Sequence, residues 1–440
     1  MRRTVCSLWS ITLVVSAAIL VVASSASAAA YLDWLADYTD GTYAWSNAAH
    51  WEEGRPPSSS TNDVGRFSNV GTGKIFTVQM DTDVNILALK AQAAGSTVNL
   101  DLNGHTFATT STSSSDFIIE SSSGEATLGV VNSGTTGAAN WKYFTVGRSS
   151  GSVGKLTISG SNTKVNATGS TRINIGGSGT GTMNVTAGGS YTGPELTLGY
   201  NGSASGTVLV SGANSKVELT GIGSIGYSGT GSLTLEDGGT FATSNHIRIG
   251  LLSGSNGTVL VTGVNSRLEG SQIAIGGKDT AIGGTGSVTI ANGGSMVAGS
   301  SIYVWDGSSL TVNGGTVTGS SSLYLNSGSA LALVVNNRAG IVQVSGNLAI
   351  DPTASLQLSF GAGLTGSDFI PLIQYGGALS GTFAGLAEGA QFTVGEQVFN
   401  LTYTGGDNNN IVGLTAVPEP ATMGLLVIGA AGAVIRRRAR

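Results

Sequence analysis

The chain reads as an all-β protein, a right-handed parallel β-helix (β-solenoid) with an N-terminal signal peptide and a short C-terminal transmembrane helix. Three observations lead there. Gly supplies 69 of 440 residues, Pro only 7, and charged residues 10%, far below the ~25% of ordinary globular chains. Such a composition also suits a disordered linker, but Val, Leu and Ile recur at fixed places between the glycines, which a linker does not require. Both chain ends carry apolar runs flanked by arginine.

Two short patterns build the middle of the chain. An apolar-x-apolar-Gly step occurs at residues 144–147, 173–176, 196–199, 247–250 and 273–276, with a weaker copy at Ile225-Gly226. The step glycines fall 29, 23, 27, 24 and 26 residues apart. Between them stands a Gly-led strand with two inward positions: Leu156 and Ile158, Met183 and Val185, Val208 and Val210, Leu233 and Leu235, Val259 and Val261, Val288 and Ile290, Leu310 and Val312. The residues between these pairs are mostly polar, as at Thr157, Asn184, Thr234 and Thr289, so the period is that of a strand and not of a helix.

A third mark follows each strand. Ser159-Gly160-Ser161-Asn162, Ser211-Gly212-Ala213-Asn214 and Thr262-Gly263-Val264-Asn265 alternate with Gly188-Gly189, Gly238-Gly239 and Gly293-Gly294. Gly160 to Gly212 is 52 residues and Gly212 to Gly263 is 51, which makes the repeating unit a pair of coils. One coil of about 26 residues cannot bury its apolar side chains alone, and stacking coils at ~4.8 Å puts like residues in register. Gly fits the corners where φ is positive, and Asn162, Asn214 and Asn265 tolerate that conformation. A solenoid over residues 70 to 415 holds about 13 coils and measures about 60 Å.

These repeats, over residues 140 to 320, resemble those of type V autotransporter passengers and of PEP-CTERM proteins. Trp45, Asn47, Ala48, Trp51, Pro56, Asp63 and Phe67 resemble the Trp-rich opening of such passengers, and Phe383-Ala-Gly385-Leu386, Leu401-Thr-Tyr403 and Gly405-Gly406-Asp407-Asn408 their closing segment. The resemblance implies a parallel β-helix. Open ends of such a rod invite association, so both need caps. The expected organisation is a signal peptide at 1–30, a Trp-rich cap at 31–69, repeats at 70–320, a β-rich end at 321–416 and a terminal signal at 417–440.

At the start, Arg2 and Arg3 precede an apolar stretch from Leu8 to Ala23 and the small residues Ser24 to Ala30, the layout of a secretory signal peptide cut after Ala28 or Ala30. This implies the Sec translocon and signal peptidase as partners. The single cysteine, Cys6, precedes the apolar stretch, so the mature chain has no thiol for a disulfide or a Cys-based metal site. At the other end Val417-Pro418-Glu419-Pro420 breaks the preceding structure, Ala421 to Ile435 is uncharged, and Arg436, Arg437, Arg438 and Arg440 follow. This order resembles the PEP-CTERM sorting signal. The resemblance implies a membrane-bound exosortase that processes the tail near Pro418 to Pro420, and the 15-residue apolar segment 421–435, short of the ~20 of a lasting span, suits a processed tail. An ordinary membrane anchor is the alternative.

Without the signal peptide, and with the tail cut after Pro420, the body carries 14 basic and 25 acidic residues, a net charge of −11. Such a surface repels nucleic acid, and anionic polysaccharide unless divalent cations bridge them. Polysaccharide lyases and hydrolases also use β-helices, so the residues that could serve an active site matter. His50, His105 and His246 have no neighbouring His or Cys in sequence, and the acidic pairs Glu52-Glu53, Asp81/Asp83 and Glu236-Asp237 form no ladder: the coil equivalents of Glu236 are Thr186, Ser211, Thr262 and Ala291. Gly221-x-Gly223-x-x-Gly226 lacks the helix of a dinucleotide site, Gly147-x-Ser149-x-Gly151 lacks an α/β sheet, and Gly181 stands where a calcium-binding nonapeptide needs Asp. Tyr200, Tyr227, Tyr303 and Trp305 either line one edge of the rod for sugar stacking or cover the coil edge as partly buried turn residues. The expectation is a non-enzymatic surface or matrix protein without cofactor or metal, with a polysaccharide-binding or polysaccharide-degrading β-helix as the alternative.

Overall fold

The computed structural model describes residues 29–417 except 36–39, 69, 112, 114–116, 170–171, 336–341, 362–368 and 395–396. The expected signal peptide through residue 28 and the segment 421–435 lie outside the described residues, and no described helix is long and apolar enough to cross a membrane. The described chain is almost entirely β and winds as a parallel solenoid with three sheets, called I, II and III, of 14, 13 and 15 strands. One coil runs through Glu195–Leu198 in sheet I, Ser205–Ser211 in sheet II and Lys216–Leu219 in sheet III. Twelve complete coils lie between Asp63–Phe67 and Ile370–Tyr375, a stack of about 60 Å at the usual strand spacing.

The repeats of the sequence map directly onto the sheets. Apolar-x-apolar-Gly steps are sheet I strands, and the Gly-led segments are sheet II strands whose inward pairs, such as Met183 and Val185, are 0% exposed. The step glycine turns the chain from sheet I to sheet II. Gly199 holds φ +64°, and a Cβ there would stand 2.2 Å from the Thr230 carbonyl oxygen of the next coil. Gly206, which leads the following sheet II strand, has no room either, because its Cβ would lie 2.0 Å from the Ile175 carbonyl oxygen. Coils therefore stack backbone on backbone at this corner.

The pairing of coils has a physical cause at the corner between sheets II and III. In one coil Asn214 and Asn265 take φ 66° and 67°, and Ser215 or Ser266, both 0% exposed, follows. In the alternate coil two successive residues are left-handed, Ala187-Gly188, Asp237-Gly238 and Asn292-Gly293, as a type I′ turn requires. The two corners interlock, since the Gly188 N–H donates to Ser215 Oγ (2.9 Å) and the Gly238 N–H to Ser266 Oγ (3.0 Å). Asn162 departs from expectation and is not left-handed. Its corner rests on a less regular coil, where its side-chain amide donates to the Gly134 carbonyl (3.1 Å) and its own carbonyl accepts from Asn132.

Sheet III repeats the two-coil period inside the core. Its leading inward residues run Val165, Tyr191, Val217, Phe241, Leu268 and Met296, so Val or Leu alternates with a bulkier side chain. Parallel stacking extends from Ala30–Asp33 to Leu379–Ser380. At the first end Trp34, Trp45 and Trp51, each at most 2% exposed, pack edge to face with Trp51 in the middle, its ring centroid 5.0 and 4.9 Å from the other two. Trp51 Nε1 donates to the Trp45 carbonyl (3.0 Å), so the buried polar tip is satisfied.

The far end closes by a change of strand direction. Ile411–Ala416 pairs antiparallel with both Ile370–Tyr375 and Gln397–Gly405, and Gln391–Val394 completes a hairpin. Phe360 of the last sheet II strand stacks on Phe399, with centroids 6.1 Å apart. The Tyr403 hydroxyl donates to the Leu386 carbonyl (2.6 Å) and accepts from the Phe383 N–H (2.9 Å). These contacts end the parallel ladder without leaving a flat apolar face.

Candidate functional site

Of the residues expected in the terminal signal, Val417 alone is described, and it is tied to the rod. Its N–H donates to the Val398 carbonyl (2.7 Å), and its carbonyl accepts from Gln397 Nε2 (2.8 Å). Pro418, Glu419, Pro420, Arg436, Arg437 and Arg438 lie outside the described residues. Folded structure thus reaches the residue before Pro418 with no linker.

Residues 416–438 match the PEP-CTERM protein-sorting motif. The match begins on Ala416, the last residue of the strand Ile411–Ala416, so the motif is joined to the closing sheet itself. PEP-CTERM sorting indicates an exported protein that is anchored in the membrane for sorting and processed by exosortase. No curated protein and no solved structure matches the chain.

The residues weighed for catalysis are held apart by the fold. The His50 ring packs on Trp34 and Tyr43, and His105 Nδ1 lies 3.5 Å from Asp83. His246 starts a sheet I strand and pairs in register with Gln272. The Glu236 position lies opposite Ser211 in register, and Ser211 opposite Thr186, so the absence of an acidic ladder in the sequence carries into space. Asp33, Glu52 and Glu53 do converge within 4.8 Å. Within this group Arg66 forms an ion pair with Asp33, and Glu53 accepts the Asp33 N–H (3.1 Å).

The outer face of sheet I differs from the rest of the rod. Its central outward column reads Thr145, Asn174, Thr197, Ser224, Arg248, Ala274, Tyr303 and Tyr324. Tyr303 stacks on Tyr324 with centroids 4.7 Å apart and planes 7° from parallel, and Trp305 continues the row at 6.4 Å. Coil stacking produces such rows by itself, because equivalent positions repeat at strand spacing. All three rings are half-buried, as are Tyr200 and Tyr227.

Farther toward the first end, Tyr200 and Tyr227 stack at 5.3 Å. The Arg172 guanidinium lies 4.5 Å from the Tyr227 centroid and pairs with Glu195 (3.4 Å). Outward Thr197 and Ser224 are only 1% and 4% exposed, which on a solvent-facing strand requires neighbouring side chains to lie over them. The stack ends at Gly177, which stands in the row between Arg148 and Tyr200 and has no side chain to fill the gap. A groove of about 390 Å³ results, lined by Thr145, Arg148, Asn174, Ser178, Tyr200 and Asn201 among others.

Polar atoms in this groove are not used up by the fold. Asn174 Oδ1 is covered and has no hydrogen-bond partner, while Asn174 Nδ2 donates to the Tyr143 hydroxyl (3.3 Å), which also engages Thr145. Burial raises the Tyr143 hydroxyl above its ordinary pKa, so that hydroxyl stays protonated. Arg148 is exposed and makes no ion pair among the described residues. The adjoining turn is rigid, since Glu120 accepts from the Ser149 N–H (2.6 Å) and the hydroxyls of Ser149 and Ser152 (2.8 and 2.7 Å). Sequence reasoning missed Arg148 and Asn174 because they are 26 residues apart and only coil register makes them neighbours.

Proposed function

We propose that the protein is an exosortase-sorted rod of the cell surface or extracellular matrix, with a structural or adhesive role and no catalytic activity. The observation that carries this reading is the junction at Ala416-Val417, where the sorting motif continues the closing sheet of a long, capped solenoid. A tail joined this way brings the end of the rod against the membrane at which it is processed. The broad hydroxyl-rich face of sheet II, with Thr182, Thr207, Ser232, Thr258 and Ser287 in register, suits hydration and repeated weak contacts. Entry through the Sec translocon and removal of a signal peptide complete the route. The first strand starts at Ala30, so a cut after Ala28 leaves it whole, whereas one after Ala30 removes its first residue.

Deleting residues 418–440 tests the sorting role. The protein is expected to fold and to lose its place in the envelope, as read by cell fractionation. Unchanged envelope placement of the truncated chain would sink the reading. The competing reading, a polysaccharide-degrading β-helix, is tested by incubating the purified protein with polysaccharides and measuring reducing ends and unsaturated products. Turnover would replace the structural role with an enzymatic one.

A further inference from the structure

The groove beside Gly177 has a chemistry that the rod does not need for its own stability. We infer that it binds one acidic sugar unit, a uronate, of an extracellular polysaccharide. The Tyr200 ring, stacked on Tyr227 and with the Arg172 guanidinium 5.5 Å from its centroid, lines the wall, and an aromatic wall suits the less polar face of a pyranose ring. Asn174 lines the floor, its Oδ1 has no hydrogen-bond partner in the fold, and a turn of the side chain presents that acceptor to a sugar hydroxyl. A buried acceptor left unpaired is costly, and a ligand hydroxyl removes that cost.

Arg148 decides the charge of the ligand. Its guanidinium lines the same groove, is exposed and has no acidic partner among the described residues, and a planar fork of N–H donors matches a carboxylate. The neighbouring Arg172 is neutralised by Glu195, and the one carboxylate buried nearby among the described residues, Glu120, is held by the N–H and hydroxyl of Ser149 and the hydroxyl of Ser152. A body with an excess of acidic residues thus presents a local cationic and aromatic spot, and the general repulsion of anionic polysaccharide does not hold there. The groove volume of about 390 Å³ lies at the lower end of ligand pockets, the size of one or two sugar units with the polymer continuing across the open side. This inference gives a ligand class to the adhesive reading and rests on that reading for its setting only. Binding by purified protein reports on the groove, while loss of envelope placement reports on sorting, so each can fail alone.

The test is calorimetric titration of the purified protein with an oligogalacturonate and with a neutral oligogalactoside of equal length. Arg148→Gln and Asn174→Ala are run alongside, with circular dichroism as the check on folding. Arg148 is exposed, so its variant is expected to fold as the parent does. The oligogalacturonate is expected to bind, to weaken about tenfold in either variant, and to weaken with added salt in the parent but less so in Arg148→Gln. Equal binding of the neutral oligosaccharide, no binding of either, or unchanged affinity in both folded variants would overturn the proposal.

Discussion

Tyr191 shows how tightly the coil geometry constrains a single side chain. It is 0% exposed, packs edge to face with Phe144, and its hydroxyl has no hydrogen-bond partner. Burial drives its pKa far above the ordinary value, so the ring stays neutral in the fold. An unpaired buried hydroxyl costs about 1–3 kcal/mol. The Tyr191→Phe variant is therefore expected to equal or exceed the parent in stability by up to that amount, measured by urea denaturation. A loss of more than about 1 kcal/mol would mean that the hydroxyl has a partner. The raised pKa also gives the parent a stability that is full below the unfolded tyrosine value of about 10 and falls as pH rises above it.

At the scale of elements, the first cap is held by carboxylates and should respond to acid. The Arg66 hydrogen bond and charge hold Asp33 below its ordinary pKa against burial. Burial alone would raise Asp63, but hydrogen bonds from Arg55, Thr61 and the Ser58 N–H outweigh it and leave the group lowered. Carboxylates with depressed folded values stabilise fully above the unfolded value of about 3.9, and lose that contribution as pH falls through the folded value. The cap that contains Trp34, Trp45 and Trp51 is expected to keep its tryptophan emission at pH 5 and to open below about pH 4. Opening that begins near pH 6 instead would contradict this role for Asp33 and Asp63.

The same elements show how much of the fold is legible in the sequence. Sheets I and II are readable because each strand carries two apolar positions at period two, as Ile173 and Ile175 or Met183 and Val185 do. Sheet III is not, because its second inward residue is often Gly, Ala or Thr, as at Gly193, Thr243, Gly270 and Ala298, and the alternation fades. The paired corners announce the two-coil unit, but the Ser215 and Ser266 hydroxyls that lock them act through hydrogen bonds between coils. For the same reason the groove at Gly177 is invisible in the sequence. It depends on what lies one coil above and one below, which strand period alone does not specify.

On the scale of the whole molecule, a cysteine-free rod with two closed ends carries its sorting motif on the last strand of its closing sheet. Most of the chain builds length and surface, and the tail decides where that surface is placed. Val417, held by Val398 and Gln397, fixes the point at which processing of the tail leaves the folded body intact. The central claim is most directly tested by mass spectrometry of the C-terminus of the surface-exposed protein. The account predicts a chain that ends near Pro418 to Pro420 and lacks Arg436, Arg437 and Arg438. A surface-exposed chain that still ends at Arg440 would contradict it.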